Sequence, residues 1–290
     1  MNFIKDALEQ WLKEILVGGI ISNLTGLFDN VNTRVGEIAS QVGMTPQGWN
    51  AGVYSMIRNL STTVIIPIAG LILAFVMTYE LINMIIEKNN LHGDVDTFMF
   101  FKWMFKTAGA ILILTNTWTI VMGIFEAAQS VVNNAAGVIV SDANLNIENI
   151  VGNLEARLMD MNLGKLFSMW LETSLVGITI WALNICIFII VYGRMIEIYL
   201  ITSVAPIPMA TMMSHESGNM GQNYLRSLFA LAFQAFLILV CVAIYAVLIG
   251  SIGTMEDISA AIWTCVGYTV LLCFTLFKTS SLAKSVFNAH

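Results

Sequence analysis

An all-α, polytopic membrane fold is the reading this sequence supports, on three observations. Of the 290 residues, 57% are hydrophobic and 11% charged, with a mean hydropathy of +0.78, far from the roughly one-quarter charged residues of soluble domains. Five apolar runs, Leu60–Ile86, Phe98–Phe125, Leu171–Tyr192, Leu225–Gly250 and Ile258–Phe277, reach the about 20 residues that a helix needs to cross a hydrocarbon core. Between the third and fourth runs, Arg194–Met213 is apolar but short, and Pro206 and Pro208 break it. Two prolines so close remove backbone donors that a regular spanning helix requires, and non-helical backbone at membrane depth persists only where protein or a water-lined cavity supplies partners. The expected fold is therefore five transmembrane helices plus one proline-broken, re-entrant or interfacial segment.

Taken in order, the chain opens with Phe3, Ile4, Ala7, Leu8, Trp11, Leu12, Ile15 and Leu16 spaced along one helical face, opposite Lys5, Asp6, Glu9, Gln10, Lys13 and Glu14. That pattern predicts an amphipathic helix suited to the membrane interface. It has neither the continuous apolar centre nor the small-residue site of a cleaved signal peptide, so cleavage is not expected. Val31, Val35, Ile38 and Val42 predict a second short helix that Gly43 and Pro46 stop. In the first span, Pro67 marks a kink. The polar, acidic stretch Glu126–Trp170, with Asp142, Glu148, Glu155 and Asp160, predicts short amphipathic helices. The resulting division is an N-terminal amphipathic, extracytoplasmic region (1–59), a first transmembrane hairpin (60–125), an extracytoplasmic loop (126–170) and a C-terminal transmembrane region (171–290) holding the re-entrant segment 195–213.

Orientation follows from Lys and Arg near span ends. With the N-terminus outside and the C-terminus inside, the inner face holds Lys88, Lys102, Lys106, Arg194, Arg226, Lys278 and Lys284, and the outer face holds Arg58, Arg157 and Lys165. Treating Ile198–Met213 as a sixth span inverts everything before it and leaves Lys88, Lys102, Lys106 and Arg194 outside, a poorer count.

Enzyme chemistry finds no support, and none is expected. There is no GxxxxGK[ST] phosphate loop. His215-Glu216 begins like HExxH, but Asn219 stands where the second zinc-binding histidine must be, and the other two histidines are His92 and His290. Cys186, Cys241, Cys265 and Cys273 lie inside apolar runs without CxxC spacing, which reads as packing. Neither cofactor nor metal is expected. A net charge of −6 with 13 Lys and Arg gives no basic footprint for gripping nucleic acid. The 17 methionines, among them Met209, Met212 and Met213, read as adaptable filler, and Trp118, Trp170, Trp181 and Trp263 as interfacial belts or packing, Trp170 as an outer anchor.

Charge at membrane depth costs at least about 2.5 kcal/mol and marks candidate sites. Glu80 lies six residues before the end of the first run and Lys106 eight after the start of the second. In an antiparallel hairpin those depths match, so an intramembrane ion pair Glu80–Lys106 is expected, with Lys102 a poorer partner and snorkelling of all three the plainer alternative. Arg194 and Glu197, at i, i+3, share a helix face just before Pro206 and Pro208. They are candidates to bond the carbonyls that the prolines free, or each other, in a structural or gating role; anchoring at the inner interface is the alternative. Ala69, Gly70 and Ala74, then Ala108, Gly109 and Ala110, then Ala243 and Ala246, permit close helix approach.

Five spans, a large outer loop between the second and third, and an arginine-led apolar segment ending in proline together resemble the TrbL-type polytopic subunit of conjugative type IV secretion systems, the sixth VirB component. The resemblance covers Leu60–Lys284 and is most specific at Arg194–Met213; the first 59 residues are similar to the compact form of Gram-positive integrative elements, without the long hydrophilic C-terminal extension of Gram-negative TrbL proteins. It implies a homo-oligomeric ring, a pentamer, in the cytoplasmic membrane among lipids and other type IV secretion subunits. Such a ring forms part of the route for single-stranded DNA and relaxase in transit, with separate ATPases supplying energy. A conduit gains from weak, multi-site contact, in keeping with the missing basic patch. The alternative class is a small-solute permease with a broken helix holding substrate at the midplane; such carriers show two related halves with matching interruptions, and here only one interruption is clear.

Overall fold

Helices account for every regular element of the computed structural model, which describes residues 2–89, 97–142, 154–252 and 257–289, with no strand among them. The expectations placed on His92, Glu148 and His290, and on the side chains of Lys88 and Asp142, lie outside the described residues. The elements are α1 (Asn2–Val42), α2 (Pro46–Trp49), α3 (Ala51–Leu60), a π turn (Ser61–Ile65), α4 (Ile66–Asn89), α5 (Thr97–Thr115), α6 (Thr117–Asp142), α7 (154–159), α8 (Leu163–Ser203), α9 (Pro206–Thr211), α10 (Gly218–Ile252) and α11 (Ile258–Val286). Five stretches are long and apolar enough to cross a membrane: Ala51–Ile86, Phe98–Thr115, Leu163–Ser203, Gly218–Ile252 and Ile258–Val286.

The spans keep their expected places but not all their expected ends, and each difference has a local cause. The second run is interrupted at Asn116 rather than continuing to Phe125. There, Thr115 Oγ1, Asn116 Nδ2 and Thr117 Oγ1 each bond the carbonyl four residues back, at Ile111, Leu112 and Ile113, over 2.9, 2.9 and 3.0 Å. Three successive side chains competing for helix carbonyls bend or break the helix at that point. The irregularity expected at Pro67 is a π turn just upstream, where Ile66 N–H reaches back to Ser61 O. Pro67 offers Thr63 O no donor, and the hydroxyls of Thr62 and Thr63 bond back to Arg58 and Asn59.

At the N-terminus the two expected helices are one. α1 runs unbroken for 41 residues and stops at Gly43, as the Gly43 and Pro46 signals required. The next elements are capped: Thr45 Oγ1 accepts Gly48 N–H at 3.1 Å and Asn50 Oδ1 accepts Val53 N–H at 2.9 Å, satisfying helix-start donors. The acidic loop is likewise less broken than expected. α6 continues to Asp142 and α8 begins at Leu163, so among the described residues α7 alone matches the short helices anticipated between Glu126 and Trp170.

The chain forms two compact units. The first comprises residues 1–42, 132–191 and 236–279, the second residues 43–131, 192–235 and 280–290. In the first, α1 buries Leu16, Val17, Ile20, Leu24 and Leu27 and leaves Ile4, Leu8, Trp11 and Ile15 exposed. Gly19 admits the Trp170 ring: a Cβ there would lie 2.8 Å from the indole nitrogen. Polar ties join its helices, Asn23 Nδ2 to Thr173 Oγ1 (3.2 Å), Ser259 Oγ to Glu172 Oε2 (2.7 Å) and Tyr245 OH with Thr269 Oγ1 (3.0 Å).

The second unit has two apolar cores. One gathers Ile57 of α3, Trp118, Val121, Met122 and Phe125 of α6, Met195, Ile198 and Tyr199 of α8, and Leu228, Leu231 and Ala232 of α10 around Ala205. The other packs Ala69, Leu73 and Met77 of α4 against Ala110 and Leu114 of α5 and Ala210 of α9. Within the small-residue stripes, Ala69, Ala110 and Ala246 are buried, whereas Ala74 and Ala108 are exposed; Gly70 has nothing within 4 Å of an added Cβ.

Candidate functional site: the proline-broken turn

The segment singled out by its prolines joins the two cores of the second unit. α8 runs through Arg194 to Ser203, so the break falls at Val204–Ala205 rather than just after Arg194. Pro206 opens α9 at a position where a missing N–H costs nothing, and α9 ends at Thr211 after six residues. Ala205 belongs to the first core and Ala210 to the second. The turn therefore fixes how the α3/α6/α8/α10 cluster is linked to the α4/α5 hairpin.

Two prolines leave the end of α8 short of donors, and the neighbourhood replaces them. Ser203 Oγ bonds Leu200 O at 2.8 Å, Tyr224 OH bonds Ile201 O at 3.0 Å, and Ala205 N–H bonds Thr202 O at 3.3 Å. Thr202 Oγ1 also bonds Tyr199 O at 3.2 Å, and Thr211 Oγ1 bonds Pro208 O at 2.9 Å. This is how irregular backbone is tolerated inside a bundle: Thr202 O and Val204 O, which Pro206 and Pro208 cannot reach, accept the N–H groups of Ala205 and Ile207 at 3.3 and 3.1 Å, and Tyr224 takes the Ile201 carbonyl that Ala205 leaves. Tyr224, on α10, carries no sequence signal for that task, because its partner lies 23 residues away.

Close approach completes the turn. A Cβ at Gly221 would lie 2.7 Å from Pro208 O and 2.8 Å from Met212 Cα, and one at Gly218 would lie 3.1 Å from Met212 O. The first turn of α10 can press on the end of α9 only because both positions lack side chains. Two glycines three residues apart at a helix start are a legible sign of such contact.

Arg194 and Glu197 do not meet the freed carbonyls. Arg194 is 6% exposed; its Nε donates to Leu231 O at 3.3 Å, with Nη2 at 3.5 Å from Ala232 O, so it ties α8 to α10 in mid-helix. Its Nη1 has no hydrogen-bond partner. Glu197 instead faces Lys284 of α11, with 3.6 Å between the charged atoms. Nearby, Tyr199 OH donates to Pro46 O at 2.5 Å, and Trp49 rests edge-on against Tyr192 with centroids 5.5 Å apart, which seats α2 on α8.

On the hairpin side, Lys106 Nζ donates to Glu80 Oε1 across α4 and α5. Lys102 takes no part. Trp103 Nε1 donates to Met77 O at 3.0 Å, and Asn83 Nδ2 to Glu216 Oε1 at 3.3 Å. His215 is exposed on the turn between α9 and α10. Among the described residues no group of three or more His, Cys, Asp and Glu is placed to hold a metal ion, and all four cysteines are free.

Comparison with known proteins adds one finding. No curated protein and no solved structure matches the chain. The family described as TrbL/VirB6 plasmid conjugal transfer like protein matches residues 31–206, more than half of the 290. The match begins earlier than the resemblance drawn from the spans and ends at Pro206, so it includes Glu80, Lys106, Arg194 and Glu197 and stops short of Pro208. With five helices long and apolar enough to cross a membrane, this multi-pass protein belongs to the TrbL/VirB6 family of conjugal transfer components.

Proposed function

We propose that the chain is a channel or scaffold subunit of a conjugative type IV secretion machine, oligomerising as a pentameric ring in the cytoplasmic membrane with its N-terminus outside and its C-terminus inside. The family match over residues 31–206 carries this reading. On it, other secretion subunits meet the ring, and single-stranded DNA with its relaxase passes along a route to which it contributes. Arg194, Glu197, Pro206 and Pro208 shape the joint between the cores, and the Glu80–Lys106 pair holds the α4/α5 hairpin against which α9 packs. The apolar, weakly charged character of the chain suits a wall that cargo leaves as easily as it enters. Motor chemistry is assigned to separate subunits, in keeping with a sequence that carries no phosphate loop.

The test joins genetics to mass. Deleting the gene from a transfer-competent strain is expected to abolish mating and complementation to restore it, and the purified chain in nanodiscs is expected to give five copies by native mass spectrometry. Undiminished mating in the deletion strain overturns the conjugation role. A monodisperse single copy enclosing an internal cavity favours the permease class instead.

A further inference from the structure

From the chemistry of a cavity in the second unit, we propose that the α4/α5 hairpin binds the headgroup of a zwitterionic phospholipid bearing a primary ammonium, the phosphatidylethanolamine class. The cavity, about 420 Å³, lies where Tyr79, Glu80 and Asn83 of α4 face Lys102 and Lys106 of α5 beside the His215–Glu216 turn. Its position is that of a headgroup. Tyr79–Met84 precede the end of the first apolar stretch at Ile86, and Phe98–Lys106 open the second at Phe98, so the site sits at one membrane boundary whichever way the chain is oriented.

Its charges come in both signs and are incompletely matched. Lys106 occupies Glu80 Oε1, but Glu80 Oε2 is buried with no hydrogen-bond partner. A carboxylate oxygen left so is unfavourable and calls for a donor. Asn83 occupies one oxygen of Glu216. Lys102, one helical turn before Lys106 on the same face of α5, is exposed and has no ion-pair or hydrogen-bond partner among the described residues; it offers three N–H donors to an anion. An ammonium placed between Glu80 Oε2 and Glu216, with its phosphate on Lys102, satisfies both sets at once through charge-assisted bonds. A quaternary choline cannot supply the N–H that the carboxylate needs, and a purely anionic headgroup brings the two carboxylates no cation beyond the Lys106 already on Glu80 Oε1. Phe98, which lines the cavity, and Ile82 and Phe105 of the same two helices are exposed and offer acyl chains apolar surface.

The experiment uses the full chain, purified and delipidated in detergent, then supplied with dioleoyl phosphatidylethanolamine, phosphatidylcholine or phosphatidylglycerol and read by native mass spectrometry and thermal melting. Phosphatidylethanolamine is expected to be retained about tenfold or more over phosphatidylcholine, the effect of one charge-assisted hydrogen bond, and to raise Tm where the other two do not. Glu216→Gln is expected to abolish the preference, and Lys102→Met to weaken retention of phosphatidylethanolamine and phosphatidylcholine alike; both positions are exposed, so the lipid-free Tm is expected to stay unchanged. Equal retention of phosphatidylethanolamine and phosphatidylcholine, equal or stronger retention of phosphatidylglycerol, an undiminished preference in Glu216→Gln, or undiminished retention in Lys102→Met overturns the proposal.

Discussion

Arg194 is the residue where stability and use part company. Its guanidinium is buried, bonded only to two carbonyls of α10, with one nitrogen unpartnered and Glu197 engaged by Lys284. The desolvation of such a charge is only partly offset by neutral carbonyls and the Glu197 carboxylate, and replacing buried charge by apolar side chains of similar volume is often neutral or stabilising. Because the two bonds to α10 do not fully offset the burial of the charge, Arg194→Met is expected to leave Tm unchanged or raised in detergent while DNA transfer is lost. A mutant that melts lower and transfers in proportion to its remaining folded fraction makes Arg194 a packing residue. Part of this was readable from position alone: an arginine leading an apolar segment, and a carboxylate and a lysine at equal depth on neighbouring spans. Which partners Arg194 and Glu197 take was not, because Leu231, Ala232 and Lys284 reach them through tertiary packing, and helical spacing shows only that the two share a face.

At the scale of elements, α9 is too short to be stable alone and exists because its two ends are anchored in different cores. Six residues span about 9 Å, yet Ala205 lies in one cluster and Ala210 in the other. Pro206→Ala/Pro208→Ala restores two N–H donors and lets α8 run on past Ser203, turning α9 away from the hairpin. Each proline lost also gives entropy back to the unfolded chain, so the pair is expected to cost about 1–2 kcal/mol, seen as a lower Tm, with transfer falling further than the loss of folded protein accounts for. Normal mating at normal expression removes the turn from the mechanism. Run length and proline spacing made the spans and this break legible beforehand. The split at Asn116 was hidden because Thr-Asn-Thr reads as tolerable polarity inside an apolar run, and it breaks the helix only through side chains that bond backwards. The fusion of two expected helices into α1 was legible: Val17, Ile20, Leu24 and Leu27, all buried, carry the three-and-four apolar spacing from Leu16 on to Val31, Val35, Ile38 and Val42.

Across the whole molecule, the parity of the spans decides which side every loop faces, and α9 is the element on which parity turns. Ile198–Ser203 completes α8, and the remaining six-residue helix is far below the about 20 residues that a crossing needs, so Arg194–Met213 does not add a sixth span. An odd count puts the termini on opposite sides, and the N-out/C-in orientation proposed above rests on the Lys and Arg distribution. The measurement is cysteine accessibility in intact cells, in a background with Cys186, Cys241, Cys265 and Cys273 replaced. A membrane-impermeant maleimide is expected to label Ser141→Cys directly and Ser217→Cys only after permeabilisation, because α8 crosses between them. The reversed pattern keeps five spans and overturns the orientation. Labelling of both positions from outside overturns the crossing itself, and with it the parity on which the proposed orientation rests.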